Sequence, residues 1–235
     1  MIDHPLMMLV LFPLAAYVIG ATPFGFIIAR AKGMDLRKAG SGNVGATNCG
    51  RVCGRGWGCL CFALDVAKGM IPVIVASAMF RTDWAYYDAM AAKFGPPQWM
   101  PTVMQQTAWL LTGCCAIAGH VFSFWLRFRG GKGVATSLGV VLGIWPFFTA
   151  AGVVALGVWV IVTLITRYVS LGSIAATLTF LPTFVYLWSV EELWPMATFA
   201  AAMVALIILR HRGNVSRLLV GTENKIGSGK KPPAS

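Results

Sequence analysis

The sequence predicts an all-α fold: a polytopic membrane helix bundle of about seven transmembrane helices, with the N-terminus outside and the C-terminus cytoplasmic. Three observations carry this. Hydrophobic residues make up 57% of the 235 and charged residues only 11%, against about 25% charged in a typical soluble domain. The apolar residues come in runs of helix length, and hydrocarbon forces each run to satisfy its own backbone. The charges lie in short loops between the runs, with Lys and Arg on alternate loops, as the positive-inside rule requires.

The runs read in order as follows. The first spans about 6–29, and no basic region precedes it, so no cleavable signal is expected. The second spans about 57–80 and carries Asp65 and Lys68 three residues apart, on one helix face, where they can pair. The segment 81–106, with Trp84, Tyr86, Tyr87 and Trp99, suits the headgroup zone and an interfacial helix. The third run spans about 107–125 and holds His120, which reads as a hydrogen-bonded packing residue. The fourth and fifth share 134–166, turn near Pro146 and are both short. The sixth spans about 173–188 and the seventh about 194–209. Residues 1–226 form a single membrane domain, and the Gly/Ser/Pro/Lys-rich 227–235 reads as a disordered tail.

Loop charge sets the orientation. Of the 19 Lys and Arg, only Arg81, Lys93 and the intramembrane Lys68 lie outside the loops 30–55, 126–133, 167–172 and the tail from 210. Those loops therefore face the cytoplasm. Six spans, with 134–166 as one long helix, would put the basic tail on the wrong side. The net charge of +11 follows from this placement and does not call for a nucleic acid. The six cysteines have the spacings CxxxC, CxC and CC. They match neither a metal framework nor disulfides on the reducing side, and no metal or other cofactor is expected.

The polar, glycine-rich loops all fall on the cytoplasmic side. The first is Gly40-Ser41-Gly42-Asn43-Val44-Gly45-Ala46-Thr47-Asn48, with Arg51 behind it. Glycines let amides converge on an anion, and arginine suits phosphate. The second is Gly130-Gly131-Lys132-Gly133 running into a helix start, whose dipole and free amides favour an anion; it lacks the Walker A spacing. The third is His211-Arg212-Gly213-Asn214-Val215-Ser216-Arg217, followed by Gly221-Thr222-Glu223-Asn224-Lys225. Ser170 and Ser173 stand at the start of the sixth run, where they would cap the helix or touch substrate. No Ser-His-Asp order or zincin motif is present, so a covalent mechanism has no support. Phosphate binding and positioning beside lipid remain. A transporter of a phosphorylated anion is the main alternative, disfavoured by polar groups clustered at one interface and by the lack of an internal repeat. A scaffold for anionic lipid would have no use for glycine loops.

Read together, these motifs resemble one family. Ser41-Gly42-Asn43-Val44-Gly45-Ala46-Thr47-Asn48 with Arg51, Gly119-His120, Gly130-Gly131-Lys132-Gly133-Val134-Ala135-Thr136 and His211-Arg212-x-Asn214 with Gly221-x-Glu223-x-Lys225 are similar to the bacterial acyl-phosphate-dependent glycerol-3-phosphate 1-acyltransferases. Asp65-x-x-Lys68-Gly69 and Arg167-Tyr168-Val169-Ser170-Leu171 extend the likeness over nearly the whole chain; Gly172 departs from it, where a serine is common. The resemblance implies attack of the 1-hydroxyl of glycerol 3-phosphate on a long-chain acyl phosphate, giving lysophosphatidic acid and phosphate at the cytoplasmic face of the inner membrane. It implies catalytic roles for Ser41, Arg51, His211, Asn214 and Glu223, with His211 the candidate base. It implies substrate contacts for Gly40, Gly42, Asn43, Gly45, Thr47, Asn48, Gly130, Gly131, Lys132, Gly133, Ser170 and Ser173.

Overall fold

The computed structural model describes residues 6–80, 103–188, 190–191 and 193–226. The interfacial helix expected in 81–106 falls outside these residues except for 103–106, and so does the tail 227–235. Every regular element among the described residues is helical. In order they are α1 (Phe12–Ala21, after a π-helical turn Met7–Leu11), α2 (Phe24–Ala31), α3 (Ala46–Cys53), α4 (Arg55–Phe80) and α5 (Val103–Val121, before a 3-10 turn Phe124–Leu126). Then come α6 (Val134–Gly143), α7 (Phe147–Thr166), α8 (Val169–Leu187), α9 (Trp194–Arg210) and α10 (Arg212–Leu219).

Each of the seven apolar runs is present as helix, but they are unequal. Met7–Ala31, Arg55–Met79, Val103–Leu126, Phe147–Thr166 and Val169–Leu187 are long and apolar enough to cross a bilayer. α9 reaches that test only together with α10, from which it is bent by 52°. The expectation of two short helices in 134–166 holds for one of them. α6 has 10 residues, about 15 Å at 1.5 Å each, half a hydrocarbon core. α7 has 20 residues. Gly143 and Pro146 end α6 early, because the residue before proline is pushed out of the helical region.

Small residues bring the helices together. A Cβ on Gly20 would sit 2.2 Å from the Ala116 carbonyl oxygen, so α1 and α5 touch backbone to backbone. A Cβ on Gly139 would sit 2.0 Å from that of Val66, so α6 lies directly on α4. In lipid, where burial gives little drive, such contact is what holds spans together. The first span breaks at Thr22-Pro23 between α1 and α2. The freed carbonyls need partners: Ser123 Oγ donates to Ala21 (2.6 Å) and Lys68 Nζ to Thr22 (2.8 Å). Lys68 also pairs with Asp65 at 2.7 Å, as the spacing predicts. Two buried charges thus neutralise each other and mend a helix break.

Candidate active site

The first loop is shaped more by its carboxamides than by its amides. Asn48 accepts from the Ser41 amide (2.8 Å) and donates to the carbonyls of Leu36, Ala39 and Asn43 at 2.8–3.2 Å. Asn43 Oδ1 accepts from the Gly45 amide (2.8 Å). Gly40 has φ +61°, and a Cβ there would meet Asn48 Oδ1 at 2.2 Å; only glycine fits both demands. The amides of Ser41, Gly42 and Gly45 are therefore engaged inside the loop. What faces the cleft is the N-terminus of α3, whose first residues Ala46 and Thr47 line it. Where the sequence leads one to expect convergent loop amides, the cleft instead meets a helix N-terminus, an end that suits an anion. Sequence reading left α3 inside the loop because its segment is polar.

The second loop is clamped. The Gly130 and Gly131 amides donate to the Val121 and His120 carbonyls (3.0 and 3.1 Å), and Arg210 Nη2 donates back to the carbonyls of both glycines (3.3 and 3.0 Å). A Cβ on Gly131 would lie 2.1 Å from His120 Nε2. These glycines therefore serve close approach, and their amides are not available to phosphate. Lys132 alone projects onward and donates to Asn214 Oδ1. Burial, with Arg217, Arg51 and Arg210 nearby, pushes its ammonium down to about 8 against the pull of Glu223.

Glu223 ties the segment after α10 to α8 and to α10 itself. Its carboxylate accepts from Ser170 Oγ (3.0 Å), Asn214 Nδ2 (2.8 Å) and Arg217 Nε (2.7 Å). Burial alone would raise this carboxyl; the hydrogen bonds from Asn214, Arg217 and Ser170 outweigh it and hold it below the usual range. The segment after α10 is stitched across the site: Arg51 Nη2 reaches the Asn224 carbonyl (3.4 Å) and Arg167 Nη2 the Ile226 carbonyl (2.9 Å). His211 Nδ1 lies 2.8 Å from the Ile207 carbonyl, which can only accept. The neutral ring therefore carries its proton there and keeps Nε2 as acceptor.

One cleft collects these groups. Ser41, Asn43, Gly45, Thr47, Asn48, Arg51, Lys132, Gly133, Ser170, Ser173, His211, Asn214 and Glu223 all line it. Gly40, Gly42, Gly130 and Gly131 do not; they shape the loops from behind. The cap reading of Ser170 and Ser173 is overturned. α8 starts at Val169, so both serines lie within it; Ser173 Oγ donates to the Val169 carbonyl (2.9 Å) and accepts from Trp159 Nε1 (3.2 Å). Gly172 faces α7, where a Cβ would meet Thr163 Oγ1 at 2.1 Å, so that departure leaves the cleft untouched. His120 is buried, as expected, but it and Asp65 also reach the cleft floor, 3.7 Å apart. Sequence reading missed Arg210 and placed Arg217 in the third loop without a role. The signal lay in the spacing of His211, Asn214 and Arg217, three apart, which is a helix face.

Beside the cleft lies an apolar groove between α6, α7, α8 and α9, and the two share Phe62, Val134, Trp159 and Ser173. The site is thus polar at one end and open to an apolar channel at the other.

Comparison with known proteins identifies the family. The family model described as glycerol-3-phosphate acyltransferase matches residues 10–221. A glycerol-3-phosphate acyltransferase of Aquifex aeolicus is 41% identical over 211 residues, covering 89% of this chain and 95% of its own. That of Geobacter sulfurreducens is 39% identical over 210 residues, covering 89% and 93%. A crystal structure of PlsY, an integral membrane glycerol 3-phosphate acyltransferase in its glycerol 3-phosphate form, superposes with a TM-score of 0.74 at 37% identity, covering 93% of this chain and 95% of that one. The lysophosphatidic acid form gives 0.71 at 36%, with the same coverage. With its helices and its sequence in agreement, this integral membrane chain belongs to the glycerol-3-phosphate acyltransferase family.

Proposed function

We propose that the chain transfers a long-chain acyl group from acyl phosphate to the 1-hydroxyl of sn-glycerol 3-phosphate, in the bacterial inner membrane with the cleft facing the cytoplasm. The observation that carries this is the junction of a cationic polar cleft with an apolar groove at Trp159 and Ser173. A substrate with a phosphate head and a fatty tail needs both, side by side.

The acyl carbon sits at the junction, its tail among α6–α9. Arg51, Lys132 and the α3 N-terminus hold the two phosphates, and Ser41 bonds a phosphate oxygen at the rim. Asn214 and Glu223 orient the glycerol hydroxyls, with Ser170 fixing the carboxylate. The 1-hydroxyl oxygen bonds to the carbonyl carbon, the carbon–oxygen bond to phosphate breaks, and the leaving phosphate takes the proton. Acyl phosphate is already activated, so no covalent enzyme intermediate is needed. The rate comes from proximity and from cations around the developing charge.

The test is to give the purified protein glycerol 3-phosphate with palmitoyl phosphate or with palmitoyl-CoA. Lysophosphatidic acid and phosphate should form in equal amounts from the first donor and not from the second. Turnover with the thioester and none with the phosphate would refute the assigned donor.

A further inference from the structure

We infer that the apolar groove has a closed floor, formed by Val141, Gly152 and Phe180, and that this floor sets which acyl tails the chain accepts. The inference rests on the acyl-phosphate reading above. Three elements define the depth. From the shared mouth residues to the floor is seven positions on each: Val134 to Val141 on α6, Trp159 to Gly152 on α7, Ser173 to Phe180 on α8. At 1.5 Å per residue that is about 10 Å. The helices alternate in direction, so these three positions lie in one layer.

The layer is shut from below. Phe180 is 3% exposed and packs edge-on against Phe148, with ring centroids 5.3 Å apart. Phe148, fully buried, in turn meets Phe184 at 5.1 Å and Phe199 at 5.9 Å. A tail reaching Phe180 therefore meets a packed aromatic cluster. An octanoyl tail ends near that depth; a palmitoyl tail does not, and its far end must press on the floor or turn out towards lipid.

Gly152 sets the width there. A Cβ on it would lie 2.3 Å from Val141 Cγ1, with no other atom nearer than 3.7 Å. A methyl at this position must turn Val141, and both side chains line the groove. Protein interiors register a single methyl group, and one methylene in an apolar pocket is worth about tenfold or more in discrimination.

The experiment compares kcat/KM for octanoyl, palmitoyl and stearoyl phosphate in the wild type, Gly152→Ala and Phe180→Leu, all as the full purified chain. Gly152→Ala should cut the palmitoyl value about tenfold relative to octanoyl. Phe180→Leu should move the preference the other way, raising stearoyl relative to palmitoyl. If Gly152→Ala does not fold, the Phe180→Leu profile decides. Wild-type length profiles in the folded variants overturn the inference, since tails would then leave sideways. Absence of turnover with every acyl phosphate in the wild type would overturn the underlying reaction and the inference with it.

Discussion

Lys132 is a cleft cation whose charge depends on its surroundings. Burial pushes its ammonium down to about 8, so above that pH the cleft loses a cation we assign to phosphate. We expect kcat/KM for glycerol 3-phosphate to fall as pH rises through about 8, with kcat less affected because bound phosphate restores the charge. Lys132→Arg, always charged, should flatten that limb; a pH profile of both proteins checks it. His211 sits in the cleft wall with Nδ1 tied to Ile207. If the leaving phosphate takes the proton, His211→Gln should lower kcat by no more than about tenfold, whereas losing a general base costs about a hundredfold or more. Steady-state kinetics at saturating substrates separates the two.

Among the elements, the clamped loop between α5 and α6 makes the sharpest demand. Gly131→Ala would drive a methyl into His120 Nε2, displacing the loop that carries Lys132. We expect KM for glycerol 3-phosphate to rise at least about tenfold while the protein still inserts, measured by kinetics beside thermal unfolding; unchanged KM would show the loop is not set by this contact. The same loop shows what the sequence could and could not tell. Its glycines and lysine marked a site, because three glycines beside a charge have no role in a simple anchor. That Gly130 and Gly131 serve packing depends on His120 and Arg210, which are distant in sequence and become neighbours only through the α5 and α9 ends. α3 and α10 were hidden for a different reason. Both have only eight residues and a polar average composition, too short for an apolar period to stand out; Asn48 ties the one and Asn214 with Glu223 the other to distant segments. Ser170 and Glu223, 53 positions apart, were each legible as polar residues near a membrane face, but their bond was not.

At the scale of the whole molecule, the long spans were the most legible part, since hydrocarbon dictates length and composition directly. The shortness of α6 was half-legible, through Gly143 and Pro146. Orientation follows from loop charge, and it predicts that α10 faces the cytoplasm. A cysteine placed at the exposed Ser216, in a variant lacking the native thiols, should react with an impermeant maleimide in inverted vesicles and not in right-side-out ones. The reverse pattern would turn the bundle over.

On the proposed reading, one cleft with Arg51 in its wall joins the two substrates. The most direct test is the rate of lysophosphatidic acid formation from glycerol 3-phosphate and palmitoyl phosphate by purified wild type and Arg51→Ala, with thermal unfolding followed in parallel. We expect turnover in the wild type and a loss of about a thousandfold in a variant that stays folded, because the cation assigned to the reacting phosphate is removed. Equal rates in the two proteins would contradict it and place the chemistry elsewhere.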